Sequence, residues 1–487
     1  MNFRQIAKIL GALALLESVF LLLCYFAAIY FSEKEQTYFL ISFVFALVAG
    51  AGGVIYGNSF RPFNPSSNNF GKREGTIIVV STWIVFSFLG MMPYWLSGNI
   101  PSFTNAFFET ISGFTTTGSS ILTDVEIMPQ SILLWRSLTH WIGGLGIIVI
   151  SLAILPIFGF QGTQLFSAEA TGVTKEKIAP KISGTAKRLF AIYIGFTIAQ
   201  TVLMCCCGMS LFDALCNSFS TVSTGGFSTK NDSIAYWQSP GIEWIVTAFM
   251  MLSGINFSLF YFLIKGNFKK FFRDEEMRTY IAILVAATII VCAWSIPSSA
   301  SLPDTLRNSL FTVTSLLTTT GFYSVDYSTW EALAFVLLLL TIVGGSASST
   351  SGGLKVIRVL LVFKYCYYEF KRIMHPHAVF PVRYNGKGVK DQTITRMLAY
   401  VLGFVIILLI GSAILCLSGL AFDESINAML SSLTNTGINA GFVETRHAVS
   451  LSAIPEFSKC FLCLVMLVGR LELFTVLLIF TPEFWKK

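Results

Sequence analysis

Charge is what this sequence has least of. Only 12% of its 487 residues are Asp, Glu, Lys or Arg, against 54% hydrophobic, about half the charged share of a typical soluble domain. Histidine is scarcer: His140, His375, His377 and His447 are the only four, too scattered for a metal cluster or a catalytic pair. The cysteines supply no chemistry either. Cys205-Cys206-Cys207 and Cys460 with Cys463 sit in apolar stretches, where small-residue packing explains them better than redox or zinc binding. An integral membrane enzyme acting on lipid is therefore a distant alternative, and the chain is not expected to be an enzyme.

What the sequence has in quantity is hydrophobic length. Stretches able to cross about 30 Å of hydrocarbon as helix recur at 9–31, 38–57, 75–97, 130–157, 187–208, 240–264, 278–297, 330–363, 395–418 and 455–480. The first exceeds the roughly 7 to 15 apolar residues of a signal-peptide core and precedes no small-residue cleavage site, so it is expected to remain as a membrane helix. The net charge of +7 is explained by orientation rather than by nucleic acid. Arg4, Lys8, Arg61, Lys72, Arg73, Lys175, Lys177, Lys181, Lys187, Arg188, the cluster from Lys265 to Arg278, the stretch from Lys355 to Arg396 and Lys486-Lys487 all fall on one side of the membrane, whereas 98–129 holds Glu109, Asp124 and Glu126 and no Lys or Arg. The positive-inside rule then places both termini in the cytoplasm.

Four short Thr-Gly loops interrupt this pattern. They are Thr115-Thr116-Thr117-Gly118, Val222-Ser223-Thr224-Gly225, Thr318-Thr319-Thr320-Gly321 and Thr434-Asn435-Thr436-Gly437. Ahead of each lies an apolar segment too short to span, expected to begin near Thr104, Asp213, Asp304 and Asp423. Non-helical backbone at membrane depth is tolerated only where it lines water or protein. Four such loops around one channel could offer carbonyls in place of a cation's hydration shell, with the negative ends of four short helices aimed at the same point. Glycine permits the positive φ that turns neighbouring carbonyls inward, and threonine adds a hydroxyl at the rim. Thr171-Gly172 is a fifth such pair but lies in a basic cytoplasmic segment.

These residues resemble the Trk/Ktr/HKT superfamily of potassium transporters, and most closely its TrkH-like branch. Trp141-Ile142-Gly143-Gly144-Leu145-Gly146, the run Gly344-Gly345-Ser346-Ala347-Ser348-Ser349-Thr350-Ser351-Gly352-Gly353-Leu354-Lys355, Gly469-Arg470-Leu471-Glu472 and the ending Phe480-Thr481-Pro482-Glu483-Phe484-Trp485 carry the likeness. So does the leading hairpin at about 9–57. The expected fold is an all-α integral membrane protein: an N-terminal hairpin and loop (1–74), then four pseudo-repeats of helix, re-entrant pore helix with filter loop, and helix (75–157, 187–270, 276–365 and 393–485) around one pore.

The resemblance implies K⁺ bound at a filter of Thr116, Thr117, Gly118, Ser223, Thr224, Gly225, Thr319, Thr320, Gly321, Asn435, Thr436 and Gly437. No other cofactor is expected. It also implies a homodimer in a bacterial inner membrane, regulated by a cytoplasmic TrkA-type nucleotide-binding subunit. K⁺ over Na⁺ selectivity follows from glycine in all four loops, since related sodium-carrying members resemble this pattern with serine in the first.

Two features could gate such a pore. The run 344–353 holds four glycines and five Ser or Thr residues, so a helix cannot pass through it unbroken. By resemblance it is the family's intramembrane gate; close packing of small residues is the plainer reading. Arg470 lies deep in the last apolar stretch, where a charge usually faces the bundle interior or water. Facing the pore it would repel cations; the alternative is a structural ion pair. Arg136 and His140 are expected to snorkel at the outer surface, and Glu17 in the first helix to be protonated or paired across the hairpin. The leading function is channel-like K⁺ uptake driven by the membrane potential, and the alternative on the same fold is symport of K⁺ with H⁺ or Na⁺.

Overall fold

The computed structural model describes residues 3–59, 72–144, 146, 182–296, 301–327, 330–437 and 451–486. Arg61, Lys175 to Lys181, Thr171-Gly172, His447, and Leu145 with 147–157 at the end of the first repeat lie outside the described residues.

Apolar length becomes helix almost everywhere. Among the described residues, six helices are long and apolar enough to cross a membrane: Phe3–Tyr30, Gln36–Asn58, Arg73–Leu96, Lys187–Cys206, Glu275–Ser295 and Asp391–Leu417, and two bent helix pairs raise the number to eight. Their outward faces carry side chains such as Val48, Ile289 and Leu409, each more than 60% exposed, a surface suited to hydrocarbon rather than water. The first two helices pack closely through glycine: a Cβ on Gly11 would stand 2.6 Å from the Gly50 carbonyl oxygen. One apolar core joins this hairpin to the first and last repeats, and a second joins the two middle repeats.

Between the long helices lie four short ones: Phe103–Phe114, Leu211–Val222, Leu302–Leu317 and Phe422–Thr434. At 1.5 Å per residue each reaches roughly 18 to 24 Å, short of a crossing. Three are capped by serines two or three residues ahead of the expected starts. Ser102, Ser210 and Ser301 accept from the backbone N–H of Asn105, Asp213 and Asp304, and Ser210 in turn donates to Asp213 at 2.7 Å. Asp213 and Asp304 thus lie in the first turn and accept from the capping serine hydroxyls rather than capping the helices themselves. In the fourth, Glu424 reaches back to the N–H of Ala421, 3.2 Å away.

The inner helices of the last three repeats are all broken, including two stretches expected to run straight. Pro240–Ser253 and Phe257–Ile264 meet at 98°, and Glu456–Arg470 and Leu473–Phe480 at 119°. Asn256 re-caps the chain after the first bend, and Glu472 takes φ +66° at the second. The third breaks where glycine and serine predict it. Helix Ala334–Val343 ends at Gly344 with φ +72°, and Val356–Met374 begins after Lys355. One element was not expected: an antiparallel hairpin of Arg383–Tyr384 and Lys387–Gly388. Its turn, Asn385-Gly386, has φ +48° and +76°, the two-residue geometry that Asn-Gly favours.

Candidate functional site

All four short helices end in the same backbone figure. The residue after the last turn has positive φ: Thr116, Thr224, Thr319 and Asn435 lie between +53° and +54°. The next N–H returns to a serine carbonyl within the helix, from Thr117 to Ser112, Gly225 to Ser220, Thr320 to Ser315 and Thr436 to Ser431, at 2.8 to 3.0 Å. A glycine follows with φ between +77° and +84°: Gly118, Gly226, Gly321 and Gly437. This corrects the register of the second loop. Gly225 stands where the other loops have threonine, and Gly226, missed by the sequence reading, is the counterpart of Gly118.

The loops lie side by side, joined by three contacts in the order four, one, two, three, and are called the ring. A Cβ on Gly437 would stand 2.2 Å from the Thr117 oxygen, one on Gly118 2.0 Å from the Gly225 oxygen, and one on Gly226 2.1 Å from the Thr320 oxygen. Loop four therefore abuts loop one, one abuts two, and two abuts three, leaving no room for any side chain at these contacts. The threonine hydroxyls hold the loops rather than stand free at a rim. Thr115 pairs with Thr117, Thr318 with Thr320 and Thr434 with Thr436, at 2.7 to 2.8 Å. Asn435 joins the ring by donating to the Thr117 hydroxyl, 2.9 Å, and to the Met466 carbonyl, 3.0 Å.

Behind the ring sits a layer of buried charge. Arg136 and His140, expected at the surface, are 3% and 0% exposed. Arg136 pairs with Glu109 at 2.6 Å, donates to the Ser228 carbonyl and lies 3.5 Å from the centre of the Phe227 ring. Glu109 also accepts from the Ile121 N–H, 2.9 Å, and the Ser120 hydroxyl, so one ion pair braces the chain after both the first and second loops. His140 stacks on Phe227 with centroids 4.0 Å apart, and a Cβ on Gly225 would meet its ring at 2.3 Å. Arg307 and Glu243, 2.6 Å apart, join the third short helix to the second inner helix in the same way. At an exposed site beyond the loops, Asn231 donates to Asp124 at 2.8 Å, holding that carboxyl below its usual range.

Residues 344–355 form a loop directly against the ring. The Gly352 N–H donates to the Thr319 hydroxyl, 2.6 Å, and the Gly353 N–H to the Thr434 carbonyl, 3.0 Å. Thr350 donates toward the Val222 and Ser253 carbonyls, and the Ser346 N–H to the Gly254 carbonyl at 2.9 Å. The neck is narrow: a Cβ on Gly344 would stand 2.3 Å from the Gly352 oxygen. Arg470 closes the arrangement, donating to the carbonyls of Thr350 and Gly144, both 2.9 Å away, and of Gly143. Glu472 pairs instead with Arg358. One guanidinium thus ties the first inner helix, the loop and the last inner helix together.

A polytopic helical chain with four such loops invites comparison with known transporters. The family profile described as TrkH, cation transport protein, matches residues 45–487. The chain belongs to the TrkH family. It is 34% identical to the Trk system potassium uptake protein TrkH of Escherichia coli K12, with 100% of both chains covered. Its identity to the Trk system potassium uptake protein TrkG of the same strain is also 34%, over 100% of this chain and 99% of that one. Among solved structures, the crystal structure of the potassium transporter TrkH from Vibrio parahaemolyticus superposes with a TM-score of 0.88 at 32% identity, covering 100% of each chain. Membership makes this TrkH-family chain a multi-pass membrane transport protein of the Trk potassium uptake type, not an enzyme.

One residue of this TrkH-family chain stands apart. Glu17 is 0% exposed, and neither carboxylate oxygen has a hydrogen-bond partner among the described residues. It is not paired across the hairpin; it lies at Gly90, whose Cβ would stand 3.1 Å from Glu17 Oε1.

Proposed function

We propose that this chain is the ion-conducting membrane subunit of a K⁺ uptake system, passing K⁺ in channel-like fashion down the membrane potential. The observation that carries the reading is the ring itself: four loops of one backbone figure, in contact, each at the C-terminal end of a short helix. Carbonyl oxygens so placed can substitute for the water around a monovalent cation, and helix C-termini add partial negative charge. The binding residues are Thr116, Thr117, Gly118, Ser223, Thr224, Gly225, Thr319, Thr320, Gly321, Asn435, Thr436 and Gly437, with Gly226 added by its backbone. The driving term is about 2.3 kcal/mol per charge per 100 mV.

The loop Gly344 to Gly353 and Arg470 are the gate in this reading. The loop's seat against Thr319 and Thr434 supports it, as does a guanidinium whose charge opposes cations. The protein works as a homodimer in the bacterial inner membrane, termini in the cytoplasm, under a TrkA-type regulatory subunit; the basic loops support the orientation, and a relative named as part of a Trk system supports a multi-component assembly. Reconstitution of the purified chain in liposomes tests the function directly. Potential-driven Rb⁺ uptake that K⁺ competes for and Na⁺ does not is the expected result, and absence of uptake in folded protein would refute it.

Symport on the same fold keeps one supporting observation, the orphaned carboxyl of Glu17. A reversal potential that follows an imposed pH gradient, and ceases to in Glu17→Gln, would favour it over the channel-like reading.

A further inference from the structure

Most of the contacts that hold the loop 344–355 come from backbone or hydroxyl groups near the ring, but at Ala347 a carboxylate takes over. Glu276 Oε1 accepts the Ala347 N–H at 2.6 Å, and Glu276 is 1% exposed. Losing a buried acceptor leaves the Ala347 N–H unsatisfied at a desolvation cost, and among the loop's contacts named above this is the one in which an acidic side chain accepts from its backbone.

Glu276 lies in the first turn of helix Glu275–Ser295, and that turn is anchored in the cytoplasmic segments. Asp274 caps the helix by accepting from the Met277 N–H at 3.0 Å. Asn385, in the turn of the β-hairpin, donates to Asp274 at 2.7 Å and accepts from the Glu275 N–H at 2.9 Å. Lys364 joins Glu275 at 2.5 Å and the Arg383 carbonyl at 2.9 Å. Three consecutive acidic residues thus connect three elements: the hairpin, the helix Val356–Met374 and the loop.

We propose that Glu276 is a positioning residue for the gate, a latch that holds the 344–355 loop under the ring, and that the hairpin 383–388 sets its position. The inference rests on the reading of that loop as the gate. Hydrogen bonds weaken steeply beyond about 3.5 Å, so a movement of the helix end by about 1 Å, transmitted from Asn385, releases Ala347.

The test uses the full chain in lipid, with hydrogen exchange of the 344–355 peptide measured beside Rb⁺ uptake and its competition by Na⁺. In Glu276→Ala, exchange is expected to quicken by about tenfold or more, the factor set by leaving one buried N–H without its acceptor, and uptake to rise with selectivity unchanged. Asn385→Ala shifts both readouts in the same direction by less, and Glu276→Gln, which keeps an acceptor oxygen, falls between; these two decide the matter if Glu276→Ala does not fold. Unchanged loop exchange overturns the latch. Faster exchange without greater uptake, in a protein whose uptake does rise on deletion of 346–351, overturns the latch and leaves the gate standing. No rise on that deletion overturns the gate reading itself.

Discussion

A serine at position 118 would put a Cβ 2.0 Å from the carbonyl oxygen of Gly225, where ordinary contact needs more than 3 Å. The obstacle is backbone of the neighbouring loop, so no rotamer relieves it, and a displacement of about 1 Å is required. The backbone angle adds to the strain: φ is +79°, a left-handed region that costs an L-residue about 1 to 2 kcal/mol. A carbonyl ring discriminates by where its oxygens stand, and the displaced group is one of them. If the shift removes as little as 1.4 kcal/mol of the K⁺ preference, discrimination falls about tenfold.

The assay is Rb⁺ uptake into proteoliposomes with K⁺ and Na⁺ as competitors, normalised to folded protein. Gly98→Ser is the control, because Gly98 has a similar φ of +75° but nothing within 4 Å of its Cβ position. It should keep parental selectivity. A folded Gly118→Ser protein with the parental ratio would remove the first loop from the filter.

Gly226→Ser should reproduce the Gly118→Ser loss of selectivity, since its Cβ would meet the Thr320 oxygen at 2.1 Å; parental selectivity there would return the second loop to the Gly225 register. Deletion of 346–351 should raise uptake without loss of selectivity, because Gly345 and Gly352 flank a closed neck and can be rejoined; lower uptake in folded protein counts for the packing role. Arg470→Ala removes a positive charge worth about 4 kcal/mol at 4 Å and an effective dielectric near 20, and also unties Thr350, so uptake should rise. Arg470→Lys, charged but without the guanidinium fork, should lie between, and parental uptake in a stable Arg470→Ala protein would sink the barrier. Glu109→Ala strands Arg136 in a buried site and should cost about 3 to 5 kcal/mol, read as a lower unfolding temperature in detergent; an unchanged temperature would argue against the ion pair as a brace.

Much of this architecture is local chemistry, and local chemistry is written in order along the chain. Apolar stretches of about 20 residues become helices in hydrocarbon because a helix alone satisfies all its backbone bonds within one segment. The break at 344–353 was legible for the same kind of reason, since glycine and serine forfeit helix propensity wherever they cluster. The Thr-Gly loops were legible as a set because each follows a stretch too short to span. Tertiary structure decided what depended on distant partners. Gly225 and Gly226 are adjacent and chemically identical, and only the Gly225 N–H bond to Ser220 and the contact of Gly226 with the third loop say which one occupies the tight position. Arg136 and His140 looked like interfacial residues until Glu109 and the segment after the second loop enclosed them. Glu472 could not be assigned two residues from Arg470; its partner, Arg358, lies on another helix. Each of these outcomes turns on which groups the folded chain brings within hydrogen-bonding range, and spacing along a sequence carries no record of that.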